Sequence, residues 1–220
     1  MKKSLLLVVA IIFPFVFTSC GDDEDEPKNS KKHEYVDLGL PSGTLWATCN
    51  VGANAPEEYG DYFAWGETTP KDCYDWSTYK WLYYDGNGGW HMKKYFSGDG
   101  KTELDPSDDA AYVNWGLEAR MPSLEQIEEL RNFCSWHWTT RKGVNGQLGT
   151  GPNGNTIFLP AAGYCEDEHL GGVGSNGDYW SRTLSDFCDG AYYLNFDSDG
   201  VGRGSISCTY GHTVRAVRVM

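Results

Sequence analysis

The sequence predicts an α+β fold of antiparallel strands, two helices and unusually long loops. Short runs rich in β-branched and aromatic residues recur at uneven spacing, and Gly, Asn and Asp occupy the predicted turns between them. Two further segments combine a helix-starting residue with apolar residues at helical spacing. The 27 Gly and 9 Pro among 220 residues indicate frequent turns.

The strand signals begin near residue 35 and continue to the end of the chain. The Pro41-Ser42-Gly43 turn separates the first two strands. Asp197–Gly200 predicts a four-residue turn that places Phe196 opposite Val201 on the next strand. The predicted strands cover residues 35–40, 44–51, 62–65, 136–140, 156–159, 178–181, 191–196, 201–207 and 213–219.

Both predicted helices begin at a polar capping residue. The first starts at Ser107, runs through residues 110–115 and stops at Gly116. The second starts at Ser123, which forms a capping box with Gln126. Its apolar face predicts packing onto a core and comprises Leu124, Ile127, Leu130 and Cys134.

The composition excludes two classes of protein. A formal net charge of -13, with 18 Lys+Arg against 31 Asp+Glu, argues against nucleic-acid binding, which needs basic residues to displace counterions from phosphates. An aromatic content of 15% argues against a disordered chain. The chain is long enough for one large domain or two small ones.

The N-terminal segment predicts export rather than folded structure. Lys2 and Lys3 precede an apolar run over residues 5–17, which is too short to span a membrane comfortably and is typical of a signal peptide. The run ends in Phe17-Thr-Ser-Cys20-Gly, which resembles the lipobox of bacterial lipoproteins. The resemblance implies cleavage after residue 19 and acylation of Cys20, for example with palmitate. The alternative is an ordinary signal peptide with an incidental cysteine.

Residues 20–33 are predicted to form the lipidated cysteine and a solvated acidic tether. No residue between Gly21 and Lys32 is apolar enough to enter a core. The acidic cluster behind Cys20 resembles the signal that sends some lipoproteins of Bacteroides-type bacteria to the outer face of the outer membrane; a plain acidic spacer is the alternative. We therefore expect a protein anchored to the outer membrane by its lipid and facing outward.

Six motifs occur in order along the rest of the chain: Tyr35-Val-Asp-Leu-Gly-Leu-Pro-Ser-Gly-Thr-Leu-Trp46, Gly60-Asp-Tyr-Phe-Ala-Trp-Gly-Glu67, Arg120-Met-Pro-Ser123, Leu159-Pro-Ala-Ala-Gly163, Gly177-Asp-Tyr-Trp-Ser181 and Val214-Arg-Ala-Val-Arg218. Over residues 34–220 they resemble the Fibrobacter succinogenes major paralogous domain family. The resemblance implies a surface or secreted bacterial protein with a C-type lectin-like fold. In such folds two small antiparallel sheets pack with two helices beneath long loops, and the first and last strands pair. The Arg120 motif also resembles a helix start of the sulfatase-modifying family.

No motif indicates a cofactor, a metal or a catalytic centre. Gly149–Gly154 spells G-x-G-x-x-G but lacks a preceding strand and a following helix, so it predicts a turn. Asp197-Ser-Asp-Gly begins like a calcium loop but continues with Val201, which is not a metal ligand. His137 alternates with two tryptophans predicted to enter the core, so its side chain should face outward. Cys208 lacks the cysteine neighbour on which the sulfatase-modifying enzymes depend. We therefore predict a non-enzymatic protein.

Six cysteines remain besides Cys20, and an even number in an exported chain predicts disulfides, with 15 possible connectivities. The strand register predicted around Asp197–Gly200 places Cys188 and Cys208 nearly opposite each other, so these two are the candidate pair. Cys165 is the main competitor for either partner. Buried free thiols are the alternative, and Cys134 fits it well.

The aromatic residues carry the functional hypothesis. Trp76, Trp81 and Trp90 lie in a loop-rich stretch among Asp, Tyr, Gly and Asn, where exposed rings can stack on sugars or anchor protein partners. We expect a cell-surface lipoprotein that binds an extracellular glycan or protein through its long loops. Two alternatives stay open: an enzyme acting on surface polysaccharide, and a structural surface module without a small ligand.

Overall fold

Short antiparallel strands dominate the structure. The computed structural model describes residues 33–96, 98–116, 118–186 and 190–219. One compact unit spans His33–Met220. Cys20 and Cys188, the predicted lipidation site and one of the two candidate disulfide partners, lie outside the described residues.

Fifteen strands and two α-helices make up the described part of the chain. The strands are β1 (Tyr35–Asp37), β2 (Thr44–Ala47), β3 (Phe63–Ala64), β4 (Leu82–Tyr84), β5 (Trp90–Met92), β6 (Ser135–Arg141), β7 (Val144–Thr150), β8 (Thr156–Pro160), β9 (Tyr164–Glu166), β10 (His169–Gly171), β11 (Gly177–Leu184), β12 (Gly190–Phe196), β13 (Val201–Ser207), β14 (Gly211–His212) and β15 (Val217–Val219). The helices are α1 (Ala110–Trp115) and α2 (Leu124–Phe133).

The predicted fold class, α+β and C-type lectin-like with two small sheets, is wrong. The protein is 40% strand and 10% helix, and its described strands form five small antiparallel sheets in a β-rich, sandwich-like arrangement. The sheets have the strand orders β1-β2-β15, β10-β9-β14-β3, β11-β12-β13, β4-β5 and β6-β7-β8. Several segments predicted as loops are strands, because backbone N–H and C=O groups that leave water must find partners.

Strand β7 shows why the sequence predicts too few strands. Its sequence, Val-Asn-Gly-Gln-Leu-Gly-Thr, contains residues that are depleted in strands. Gly149 nevertheless lies under the Trp136 ring, where an added Cβ would come within 2.7 Å of the indole. At Gly146 an added Cβ would approach the Leu159 carbonyl oxygen to 2.2 Å. The neighbouring strands therefore require glycine at both positions.

Both helices were predicted correctly in position, and the cap of α2 is confirmed in detail. The Ser123 hydroxyl accepts from the Gln126 N–H at 3.2 Å, and Gln126 Oε1 accepts from the Ser123 N–H at 2.9 Å. The cap of α1 is Asp109 rather than Ser107, because a 3-10 turn over Pro106–Asp108 precedes the helix. The helix then ends at Gly116, whose φ of 94° favours glycine.

The last strand joins the first sheet by pairing with the second strand and not with the first. β15 pairs antiparallel with β2, with Val217 opposite Trp46, whereas β1 lies on the other side of β2. The expected pairing of first and last strands is therefore wrong. Residues 213–216, predicted as the start of this strand, instead cross the core.

A buried arginine holds this crossing in place. Arg215 is 1% exposed and donates to four oxygens within hydrogen-bond distance. Its Nε lies 2.7 Å from Asn50 Oδ1, and its Nη2 lies 3.0 Å from the Phe158 carbonyl oxygen. Burial lowers the pKa of Arg215. Its donors are nevertheless satisfied by the Asn50 side chain and by backbone carbonyl groups from two sheets, which ties β2 to β8.

The β12–β13 hairpin has the predicted register. Phe196 lies opposite Val201, and Asp197 Oδ1 accepts from the Asp199 N–H at 2.8 Å to form the turn. Cys208 is buried one residue beyond β13. Its bond to Cys188 stays a prediction. Cys49, Cys73, Cys134 and Cys165 form no disulfide in the structure.

Candidate functional site

The β4–β5 hairpin presents aromatic rings on both of its faces. Tyr84 pairs across the hairpin with Trp90, and Tyr83 pairs with His91. The ring centroids lie 5.5 Å apart in the first pair and 5.4 Å apart in the second. Tyr84 is 53% exposed and Trp90 47% exposed, so these rings cover little core. We call Tyr83, Tyr84, Trp90 and His91 the aromatic hairpin.

The turn of the aromatic hairpin is stabilised by one carboxylate. Asp85 Oδ1 accepts from the Asn87 N–H at 2.7 Å and from the Gly89 N–H at 3.0 Å. Its Oδ2 lies 3.0 Å from His91 Nε2. These hydrogen bonds, those from the backbone first, lower the pKa of Asp85 to about 2. The carboxylate is therefore charged at neutral pH and keeps the exposed rings at a set spacing.

Trp81 anchors the hairpin instead of facing a ligand. Its Nε1 donates to the Gly66 carbonyl oxygen at 2.9 Å, and its ring meets the buried Tyr95 ring edge to face at 5.7 Å. The ammonium groups of Lys80 and Lys94 lie 4.3 Å and 5.0 Å from its ring centroid. The indole is therefore enclosed on several sides.

A buried carboxylate below Trp81 holds the same segment. Asp108 accepts from the Tyr95 hydroxyl at 2.7 Å and from Lys94 Nζ at 2.5 Å, and Lys80 Nζ lies 3.3 Å away. Burial acts to raise the pKa of Asp108, but the hydrogen bonds from Lys94 and Tyr95 outweigh it and lower the pKa. This charged cluster attaches the loops on either side of the hairpin to the 3-10 turn before α1.

Trp76 occupies a separate exposed turn. It is 42% exposed, and the turn around it is closed by Asp75, whose Oδ1 accepts from the Thr78 N–H at 2.8 Å. Among the described residues, no ring contact joins any two of Trp76, Trp81 and Trp90. The structure thus exposes two of the three candidate tryptophans and encloses the third.

Tyr83, Tyr84 and His91 were not singled out from the sequence, although a signal for them exists. Asn87-Gly88 is a strong hairpin turn sequence when it is flanked by two aromatic runs. Reading residues 82–92 as a hairpin would have placed Tyr84 beside Trp90. Because the surrounding stretch is rich in loop-forming residues, its two short strands were not predicted.

Comparison with protein-family models, curated proteins and solved structures finds no match to this chain.

Other predicted features can be located in the structure. His137 is exposed on β6, as its alternation with Trp136 and Trp138 predicts. Within the described ranges, no group of three or more His, Cys, Asp or Glu side chains is arranged to hold a metal ion. None of the described helices has the length and apolar character needed to cross a membrane.

Proposed function

We propose that this protein is a lipid-anchored surface protein that binds a neutral extracellular glycan by stacking sugar rings on the aromatic hairpin. The observation that carries the proposal is the exposed pair of Tyr84 and Trp90, whose rings are set 5.5 Å apart by strand pairing. Exposed aromatic rings that cover no core are characteristic of binding surfaces.

The chemistry of the hairpin suits a sugar. The apolar face of a pyranose ring packs on an aromatic ring, while its hydroxyl groups need hydrogen-bonding partners at the rim. No described residue accepts from or donates to the Tyr83 and Tyr84 hydroxyls, so both can reach a ligand. Because Asp85 and its backbone donors restrain the turn, little ordering entropy is lost when the ligand binds.

The charge of the chain narrows the ligand class. A formal net charge of -13 repels polyanions, which disfavours acidic polysaccharides. A neutral glycan avoids this repulsion, so its binding depends on stacking against the aromatic rings.

The anchor belongs to the same proposal. Acylation of Cys20 and the acidic tether would hold the domain at the outer membrane, facing outward. Membership of the Fibrobacter succinogenes major paralogous domain family stays a prediction that rests on the six sequence motifs.

The test is glycan-array binding by the full-length protein in detergent. Trp90→Ala and Tyr84→Ala should each weaken binding by about tenfold or more, a loss of roughly 1.4 kcal/mol, since each variant removes one of the two stacking rings. Phe133→Ala is the matched control, because it removes a similarly exposed ring, 52% exposed, at the end of α2.

Three outcomes would contradict the proposal. Equal loss in Phe133→Ala would show that the effect is not specific to the hairpin. Release of sugars from a bound polysaccharide would indicate an enzyme. Binding that is confined to proteins, or no binding to any glycan, would exclude the glycan.

A further inference from the structure

A row of polar side chains crosses one face of the β11–β12–β13 sheet and continues onto β14. Asp178 and Asn195 are directly opposed partners on β11 and β12, so their side chains share a face. Tyr179 and Thr213 form a parallel bridge, which puts the preceding residues, Asp178 and His212, together on the other face. We call Asn195, Asp178 and His212 the polar row.

Backbone hydrogen bonds set the spacing of this row. The Thr213 N–H and hydroxyl both donate to the Asp178 carbonyl oxygen, at 3.3 Å and 3.1 Å. The Trp180 N–H donates to the Thr213 carbonyl oxygen at 3.0 Å. The three side chains therefore stand on neighbouring strands of rigid sheet rather than on loops.

The polar row lacks hydrogen-bonding partners. Asn195 Oδ1 and His212 Nδ1 are buried atoms without a partner, and His212 is 1% exposed. Asp178 is 8% exposed, and none of the ion pairs or side-chain hydrogen bonds among the described residues reaches its carboxyl group. Unsatisfied buried polar atoms are rare in folded proteins, and two of them beside an unpartnered carboxyl group require an explanation.

The electrostatics of the row favour a cationic ligand. Burial raises the pKa of Asp178 to about 7 and lowers the pKa of His212 to about 3. His212 is therefore neutral and cannot serve as the counter-ion of Asp178. A positive charge from outside the protein would stabilise the Asp178 carboxylate.

Aromatic rings flank the polar row. The Tyr193 ring lies 4.8 Å from the His212 ring and 6.1 Å from the Trp180 ring, centroid to centroid. Burial raises the pKa of Tyr193, and the nearby Asp178 charge adds to that effect. A ring beside a carboxylate is the arrangement that attracts an organic cation.

Two glycines on β13 make room for side chains of the row and its flanking ring. A Cβ added at Gly204 would come within 2.8 Å of the Tyr193 ring, and one at Gly202 would come within 2.9 Å of Asn195 Oδ1. Tyr193, Asn195 and both glycines are partly exposed. The row therefore borders solvent on this side of the sheet.

We propose that the polar row binds a protonated primary amine, with Asp178 and Asn195 accepting from the ammonium group beside the Tyr193 ring. An alkylammonium has three donors and no acceptor, which complements a set of acceptors. This site is separate from the aromatic hairpin and does not depend on glycan binding there. The amine can come from an amino sugar or from a lysine side chain.

The experiment measures binding of four small probes by NMR titration at pH 7, where both amines are largely protonated. They are glucosamine, N-acetylglucosamine, Nα-acetyl-lysine amide and its Nε-acetylated form. The full-length protein carries Trp90→Ala, so that the aromatic hairpin does not contribute. We expect each amine to bind about tenfold or more tightly than its acetylated partner, because acetylation removes the charge.

Two variants locate the binding. Asp178→Asn keeps the shape of the side chain and should weaken amine binding about tenfold or more. Asn195→Ala, at a partly exposed position, tests the second acceptor and should also weaken it. Asp197→Asn is the control, because that carboxylate belongs to the β12–β13 turn, and the variant should bind like the parent protein.

Preference for glucosamine over the lysine probe would assign the site to amino-sugar glycans, and the reverse preference to a lysine-bearing protein. Equal binding of amines and acetylated probes would overturn the proposal. So would unchanged amine binding in Asp178→Asn, or tight Asp178-dependent binding of Ca²⁺ or Zn²⁺ without any effect of the amines.

Discussion

At the scale of single residues, His212 connects packing with stability. Its ring stacks on Trp180 with a centroid distance of 4.1 Å and an interplanar angle of 23°. Burial lowers the pKa of His212 to about 3. Between about pH 3 and pH 6.5 this imidazole is therefore neutral in the folded protein but protonated in an unfolded chain.

The sign of the pH dependence follows from this shift. Because the folded pKa lies below the unfolded value of 6.5, the contribution of His212 to stability is present above about pH 6.5 and is lost as the pH falls towards 3. We expect His212→Phe, which keeps an aromatic ring but does not titrate, to flatten the fall in unfolding free energy over this range. The slopes of unfolding free energy against pH should differ between wild type and His212→Phe by up to about 1.4 kcal/mol per pH unit.

Urea denaturation at several pH values measures this effect. His137→Phe is the control, because that imidazole is exposed on β6. Parallel curves for wild type and His212→Phe would show that His212 is accessible to protons in the folded state.

At the scale of elements, the start of α2 connects the helix to two sheets. Beyond its capping role, Gln126 donates from Nε2 to Thr44 Oγ1 at 3.1 Å and accepts from Arg182 Nη1 at 3.0 Å. The capping box therefore positions α2 against both β2 and β11. This explains how so short a helix keeps a defined place among the sheets.

Ser123→Ala should lower the free energy of unfolding by about 1 kcal/mol, because the Gln126 N–H loses its acceptor. Chemical denaturation gives the value. Ser205→Ala serves as the comparison, since Ser205 is exposed on β13 and should change the midpoint little. Identical midpoints for the two variants would mean that the cap does not stabilise α2.

At the scale of the whole molecule, the predicted anchor and the folded unit have different tasks. The unit His33–Met220 carries the aromatic hairpin and the polar row. The anchor would keep both at the cell surface. One acyl chain gives only weak membrane attachment, so stable anchoring through the predicted lipidation site would require more than one chain.

Cys20→Ser should leave the protein unprocessed or release it from the membrane fraction of the expressing cells. Fractionation with a high-salt wash and immunoblotting measures both effects. Cys73→Ser is a suitable control, because Cys73 lies in the folded unit and forms no disulfide there. Normal cleavage and retention of Cys20→Ser in the membrane would show that another group anchors the chain.

Features that depend on a few neighbouring residues were predictable. The Ser123–Gln126 cap, the Asp197–Gly200 turn and the register of β12 against β13 were all predicted and are confirmed. Their determinants lie within one turn of helix or one hairpin, where short polar side chains bond to nearby backbone groups.

The candidate site was predictable only in part. Trp76 and Trp90 are exposed as the hypothesis requires, but Trp81 is enclosed by Tyr95, Lys80 and Lys94. The three tryptophans have similar local sequence contexts. Which ring is enclosed depends on what packs against it, and that is decided by contacts between segments.

By itself, the sequence determined the local elements of this protein: its helix starts, its turns and most of its strands. Tertiary structure decided the fold class, which was predicted wrongly, and the pairing of β15 with β2. It also brought Asp178 beside His212 and placed glycines under the Trp136 and Tyr193 rings. The physical reason is that side-chain periodicity shows which face of a strand is apolar, whereas the choice of neighbouring strand depends on packing and hydrogen bonds between distant segments.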